Sequence, residues 1–249
     1  MAVYKSKGIV LRSIRYGEAD RIVDLYTRDV GLVSAIAKGI RRTRSRFGAR
    51  LEPLSCVDFM AYEGRTLDTV TQVEVLRSFH EAREDLTRFK VAGGLVGTVR
   101  ALSGEDEPDR RIFNLLYRAL ETLEQRESGY DSLQAAFSLK LSMLAGYELQ
   151  LDSCMSCSLS IDEASAGNLY YGPVAGGMLC SDCRTADREA FPLPPGAVDS
   201  LGQLVGKSLR GAEIPGEVKE IVKRVVRSHV FAHAPGGSTL AAHGSQRPA

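Results

Sequence analysis

The period of the apolar pattern changes once along this chain, near residue 79, and that change limits the folds open to it. From Tyr4 to about Arg77 apolar and β-branched residues come in short runs separated by turn residues. The runs are Gly8–Ile14, Arg21–Thr27, Leu32–Ala37, Ser55–Tyr62 and Leu67–Val75. Gly17–Asp20, Arg28–Gly31 and Glu63–Arg65 read as turns between them. Five strands in about 75 residues leave no room for crossover helices, so the strands should pair antiparallel in a small barrel or sandwich. From His80 onward the spacing is helical. Leu86–Leu102 places Phe89, Leu95, Val96 and Val99 on one stripe, interrupted by Gly93 and Gly94. Asp109–Gln125 turns Ile112, Leu115, Leu116, Ala119, Leu120 and Leu123 inward. Ser132 is placed to cap a third helix carrying Ala136, Leu139, Lys140, Met143 and Leu144, which Gly146 ends. Gly196–Leu209 and Gly216–Phe231 read as two more helices, the last with Val218, Ile221, Val222, Val225, Val226 and Val230 on its apolar face.

The expected fold is therefore α+β and multidomain. An N-terminal five-stranded antiparallel barrel of the oligonucleotide/oligosaccharide-binding (OB) type, residues 1–79, precedes a helical domain, residues 80–233. Residues 234–249 lack apolar periodicity and read as a disordered tail. No apolar run approaches the roughly 18 residues of a membrane span, and no secretory leader is evident, so a soluble cytoplasmic protein is expected.

Four of the five cysteines fall in one segment, as Cys154/Cys157 and Cys180/Cys183, two Cys-x-x-Cys pairs with 22 residues between them. Each pair lets two sulfurs converge from one tight turn, and two turns supply the four tetrahedral thiolates that Zn²⁺ prefers. Leu169–Tyr171 and Met178–Leu179 flank Gly176 and Gly177 as a hairpin would, so the segment at about 151–187 reads as a four-cysteine zinc ribbon inserted in the helical domain. Disulfides would need an oxidising compartment, and a thioredoxin-like redox pair would need a βαβ unit that the pattern lacks. An iron–sulfur cluster also uses four cysteines, and spacing does not distinguish it. Four thiolates leave no open position for water, so the metal is expected to be structural. Cys56, alone in a strand, reads as a free core cysteine.

The net charge of +1 conceals an uneven distribution. Residues 1–50 hold 12 Lys and Arg against 4 Asp and Glu, a net of +8. Half of those cations lie in Lys38–Arg50, which has six positive charges and no negative one: Lys38, Arg41, Arg42, Arg44, Arg46 and Arg50. Such a run repels itself unless a polyanion meets it. Tyr16, Tyr26 and Phe47 are candidate stacking platforms nearby, the last two also suited to the core. Enzyme signatures are not found. The histidines are His80, His229, His233 and His243; none sits in a metal or triad motif, and neither Gly-x-Ser-x-Gly nor a phosphate-binding Gly-rich loop occurs.

Gly8–Arg12, Tyr16–Thr27, Gly31, Ala37–Gly48 and Leu51–Leu54, with the order barrel, helices, four-cysteine segment, resemble the RecO family of bacterial recombination mediators over about residues 3–232. The resemblance implies a non-enzymatic, nucleoid-associated DNA repair protein. It would bind single- and double-stranded DNA, anneal complementary strands and contact the acidic tail of single-stranded DNA-binding protein. With RecR it would help load RecA. It also implies that Lys38, Arg41, Arg42, Arg44, Arg46 and Arg50 contact DNA, with Arg15 and Arg21 second. Some family members lack the cysteines, which fits a structural zinc. The other readings are a zinc-ribbon thiol oxidoreductase or hydrolase, and an RNA-binding ribbon protein.

Overall fold

The computed structural model describes residues 2–41, 47–104, 108–161 and 168–234. The chain divides into two compact units, residues 1–127 and 128–249. The tail expected to be disordered lies, from residue 235, outside the described residues.

The first unit opens with five strands: β1 (Val3–Tyr16), β2 (Asp20–Thr27), β3 (Gly31–Ala37), β4 (Ser55–Tyr62) and β5 (Asp68–Ser78). They close into a barrel in the order β1-β2-β3-β5-β4. Neighbours are antiparallel except β3 and β5, which run parallel through Ala35/Asp68 and Ile36/Thr69. This is the five-stranded OB arrangement expected from the sequence. Val10, Val23, Leu25, Ala35, Val57, Phe59 and Val73 fill the interior with Ile40, Phe47 and Leu51 of the β3–β4 connection. Gly8 faces the same core, where a Cβ would lie 3.0 Å from Leu25 Cδ2 and 3.2 Å from Phe59 Cε1. Cys56 is buried, as expected, and burial pushes its thiol up to about 11.

Three helices complete this unit: α1 (His80–Glu84), α2 (Leu86–Leu102) and α3 (Arg110–Gln125). Asp85 and Asp109 cap α2 and α3 by accepting from the backbone N–H groups of Arg88 and Arg111. The buried face of α2 is Ala92, Leu95, Val96, Thr98, Val99 and Leu102. Phe89, expected on that face, is instead 45% exposed. Its helical angle falls on the opposite side, and glycines at 93 and 94 weaken the pattern that should have shown it. In α3 Phe113 is buried while Leu115 is only half-buried.

The second unit begins with α4 (Tyr130–Leu144), and its N-terminus corrects one expectation. Ser132 does not cap it: Gly129, in the left-handed conformation at φ 70°, occupies the N-cap position. Ser132 lies in the first turn and its hydroxyl accepts from Ile214 N–H at 3.1 Å. The C-terminus behaves as expected. Gly146, at φ 87°, lets its N–H bond Met143 O and Tyr147 N–H bond Ser142 O, satisfying two orphan carbonyls. Met143, placed on the apolar face by the sequence, is 37% exposed. A three-stranded sheet follows, with order β7-β6-β8: β6 (Leu169–Gly172), β7 (Gly177–Leu179) and β8 (Phe191–Leu193). Two helices, α5 (Ala197–Gly206) and α6 (Lys219–His233), pack on α4, with Lys219 and Lys223 paired to Asp131. No helix among the described residues is long and apolar enough to cross a membrane.

Candidate nucleic-acid interface and metal centre

The basic connection leaves β3 through a turn stitched to the β1–β2 hairpin. Gly39 N–H donates to Asp20 Oδ1 at 2.7 Å and Arg41 N–H to Ala19 O at 2.9 Å. The Arg41 guanidinium reaches Glu18 O at 2.8 Å. Lys38 and Arg41 are thereby held beside the hairpin tip that carries Arg15 and Tyr16, all four exposed. Ile40 and Phe47 are buried in the barrel core and bracket the stretch that supplies Arg42, Arg44 and Arg46, three candidate contacts that lie outside the described residues. Arg50 is exposed in the short 3-10 turn Gly48–Leu51. Arg21 has a different setting: its Nη1 pairs with Glu52 Oε1 at 3.0 Å and donates to Ser13 at 3.3 Å, closing the barrel end. Of the candidate stacking groups only Tyr16, 52% exposed, is available, because Tyr26 and Phe47 are buried.

A feature not anticipated from the sequence lies on the outer face of β1, β2 and β3. A register shift between Val10 and Arg12 exchanges the faces of β1. Ser13 then pairs with the inward Val23, and Ile14 turns outward opposite Ile22, which is opposite Ile36. The three isoleucines form a cross-strand row on this face, Ile14 40% exposed and the others half-buried. One row away Asp24 is buried under Arg12 at 2.9 Å, Arg100 at 3.6 Å and Ser34 at 2.8 Å. The outer face of strands 2 and 3 is where OB barrels commonly take oligomeric ligands. Here it offers an apolar row with Tyr16 and Lys38 toward one end, while Arg15 follows the row of Arg21 and Ala37 and is exposed at the barrel end.

The cysteines converge as the spacing requires. The Sγ atoms of Cys154, Cys157, Cys180 and Cys183 all lie within 4.8 Å of one another. Cys157 and Cys180 are 3.8 Å apart. A tetrahedral site with metal–sulfur bonds of ~2.3 Å has edges of ~3.8 Å, so the donor set fits a metal such as Zn²⁺. The first turn closes with Ser158 N–H on Cys154 O at 2.9 Å, which puts Ser158 at φ 60°; the second closes with Cys183 N–H on Cys180 O at 3.1 Å. Burial disfavours the Cys154 thiolate, but N–H donors from Cys180, Cys157 and Ser156 outweigh it and bring the group down to about 6. Despite a hydrogen bond from Ser156, Cys183 is held up at about 12 by the neighbouring thiols Cys180 and Cys157. As four thiolates the sulfurs would share the site only around a cation that takes up their charge.

The ribbon has two supports that the sequence did not reveal. Asp187, 5% exposed, accepts from Val174 N–H at 2.8 Å and Ala175 N–H at 3.0 Å, and its other oxygen from Glu189 N–H at 2.9 Å. It ties the β6–β7 turn to the chain leaving the second knuckle. His229 of α6, fully buried, bonds Tyr147 O through Nε2 at 3.0 Å and the Tyr171 hydroxyl through Nδ1 at 3.1 Å. A carbonyl only accepts, so Nε2 carries the proton and Nδ1 accepts from Tyr171. His233, one turn on, stacks on Tyr147.

Fold and site together define a class: a protein with an OB barrel, cationic at one end, and a helical unit bearing a cluster of four cysteines that could hold a metal ion. Residues 1–79 match the family model described as "Recombination protein O N terminal", and residues 83–238 the one described as "Recombination protein O C terminal". The chain belongs to the recombination protein O family. It is 58% identical over 242 residues to the "DNA repair protein RecO" of Rubrobacter xylanophilus, covering 97% of this chain and 96% of that protein. Proteins of the same name from Symbiobacterium thermophilum, 34% identical over 235 residues, and Alkaliphilus metalliredigens, 32% over 232 residues, are matched over 92% or more of either chain.

Proposed function

We propose that the chain is a DNA-binding mediator of recombinational repair, acting by binding rather than by chemistry. The observation that carries this is the end of the barrel, where Lys38 and Arg41 lie beside the hairpin that carries Arg15 and Tyr16, next to a partly exposed isoleucine row, in a chain whose relatives are DNA repair proteins. Cations there neutralise phosphate, and the reduced repulsion lets two complementary strands approach and anneal. Duplex DNA needs only the phosphate contacts; single strands can also lay bases on the apolar row and Tyr16. The inferred partners are single- and double-stranded DNA, RecR and single-stranded DNA-binding protein, with RecA loaded on gapped DNA as the outcome, in the cytoplasm at the nucleoid. The cysteine cluster holds one zinc per chain. Four thiolates complete its shell, so the metal fastens the ribbon and leaves no position for substrate.

The test is a salt titration of single-strand binding with Arg15→Glu/Lys38→Glu, followed by annealing of complementary oligonucleotides coated with single-stranded DNA-binding protein. Each lost phosphate contact removes ~0.7 from the slope of log K against log salt, so the double variant should be shallower by ~1.4. Arg41 is unsuitable because its guanidinium also holds the hairpin turn. An unchanged affinity and slope would remove this end of the barrel as the DNA site.

A further inference from the structure

Helix α2 has one side that the described residues of its unit leave largely uncovered. Opposite its buried face, Leu86, Phe89, Lys90, Gly93, Gly97 and Arg100 follow helical spacing along a single stripe. Two features of the stripe cost stability in an isolated chain. Leu86, 68% exposed, and Phe89, 45% exposed, hold large apolar groups in water. Gly93 and Gly97 stand inside the helix, where glycine is a poorer helix former than alanine. A Cβ at either would meet no atom within 4 Å, so no close approach among the described residues calls for glycine. A second helix lying on this face would offset both costs: the glycines would admit its backbone, and the apolar side chains would find cover.

The ends of the stripe say which helix fits. Glu84 and Asp85 precede its first residue, and Arg100 lies at the other end. Glu84 is 69% exposed and paired to His80, also exposed. Arg100 is 40% exposed, with Asp24 at 3.6 Å. Both keep capacity for a further ion pair. This pattern is complementary to itself when reversed. We propose that two copies of the chain associate through α2, packed antiparallel about a two-fold axis at Gly93. Positions equidistant from Gly93 then face each other. Phe89 of one copy lies over Gly97 of the other, as a knob over an empty position. Leu86 lies along the stem of Arg100, whose guanidinium meets the acidic pair Glu84 and Asp85. Each contact occurs twice, as an isologous interface demands. A helix of one charge sign, or a parallel copy, would satisfy only one end.

One helix per copy is a small interface beside the ~1,600 Å² of a standard complex, so the pair should be weak. It would form at high concentration, or where DNA gathers several copies, and would bring two barrels together.

The test is made on the full, metal-loaded chain. Sedimentation velocity from about 1 to 500 µM should show monomer passing to dimer with a Kd in the upper micromolar range. Gly97→Leu should weaken the dimer at least tenfold without lowering the melting temperature, since a Cβ there meets no atom within 4 Å in the single chain. Disulfide trapping fixes the geometry. Gly93→Cys should cross-link to its own mate on mild oxidation, well above the unmodified chain. Gly97→Cys should not, because its mate lies ~12 Å away along the helix at ~1.5 Å per residue. A chain that stays monomeric throughout overturns the proposal. So does cross-linking of Gly93→Cys no greater than that of Thr87→Cys, which lies off the stripe.

Discussion

Replacing Gly172 by alanine should weaken metal binding from a position that touches no cysteine. The new Cβ would sit 2.8 Å from Asp187 Oδ2 and 2.9 Å from Leu179 Cδ1, both well inside contact distance. Leu179 packs with Cys154 and Cys180, so the strand cannot move toward it freely. The yielding group is the Asp187 carboxylate, which then loses the N–H groups of Val174 and Ala175. Asp187 is the buried partner, and each hydrogen bond to such a charged group is worth ~1.5–3 kcal/mol. Allowing for partial relaxation, the variant should lose about 2–4 kcal/mol from the metal-bound fold. Because the ribbon is ordered in that form, the loss passes into metal affinity at a factor of 10 per ~1.4 kcal/mol, a decrease of roughly 30- to 1,000-fold. Competition with a coloured chelator reads the affinity, and a thermal melt reads the fold. Asp187→Ala closes the cycle: once the carboxylate is gone, Gly172→Ala should cost much less than in the native chain. A loss below ~0.5 kcal/mol, or strictly additive effects in the double variant, would refute the coupling of Gly172 to Asp187.

His229 makes stability depend on pH in a defined direction. Burial lowers its affinity for a proton, although the bond to Tyr147 O works the other way and His233 adds to the lowering. Its contribution is therefore complete above the ordinary imidazole value near 6.5 and falls as pH drops below it, by at most ~1.4 kcal/mol per pH unit. Urea melts at pH 8 and pH 5.5 should diverge more for the native chain than for His229→Gln; parallel curves would show that His229 is not the titrating group. Removing the metal with excess chelator should raise amide exchange in β6–β8 at least tenfold while leaving β1–β5 unchanged, since the barrel's core contains no ribbon residue.

The sequence carried most of the barrel because short runs of apolar and β-branched residues are separated by turns marked by glycine or acidic residues. It could not carry the parallel closure of β3 on β5, which joins segments more than 30 residues apart. The isoleucine row was hidden by the register shift after Val10: strict alternation assigns Ile14 to the inside with Gly8 and Val10, and one extra residue reverses that. Arg21 looked like a surface cation because its partner, Glu52, is distant in sequence. Strand β8 was missed for a local reason. It has three residues, the middle one Pro192, which a strand paired on one side only can tolerate. The four cysteines were legible in full because their chemistry is written in spacing. Asp187 and His229, which support the ribbon, have no such signature: an aspartate and a histidine acquire those roles only once the backbone N–H groups, the Tyr171 hydroxyl and the Tyr147 carbonyl have been brought to them.

The stitching of Gly39 and Arg41 to the β1–β2 turn also changes how the basic connection should be counted. Lys38 to Leu54 is long as a connection, yet Ile40 and Phe47 are both fixed in the core, so the span between anchors is six residues, Arg41–Arg46. Closing a short span restricts far fewer chain conformations than closing a long one. The hairpin turn at Gly17–Ala19 is then a tether of the basic segment as much as the end of two strands. Lengthening that turn, without touching a single arginine, would loosen the segment and raise the entropic cost of docking it on a polyanion.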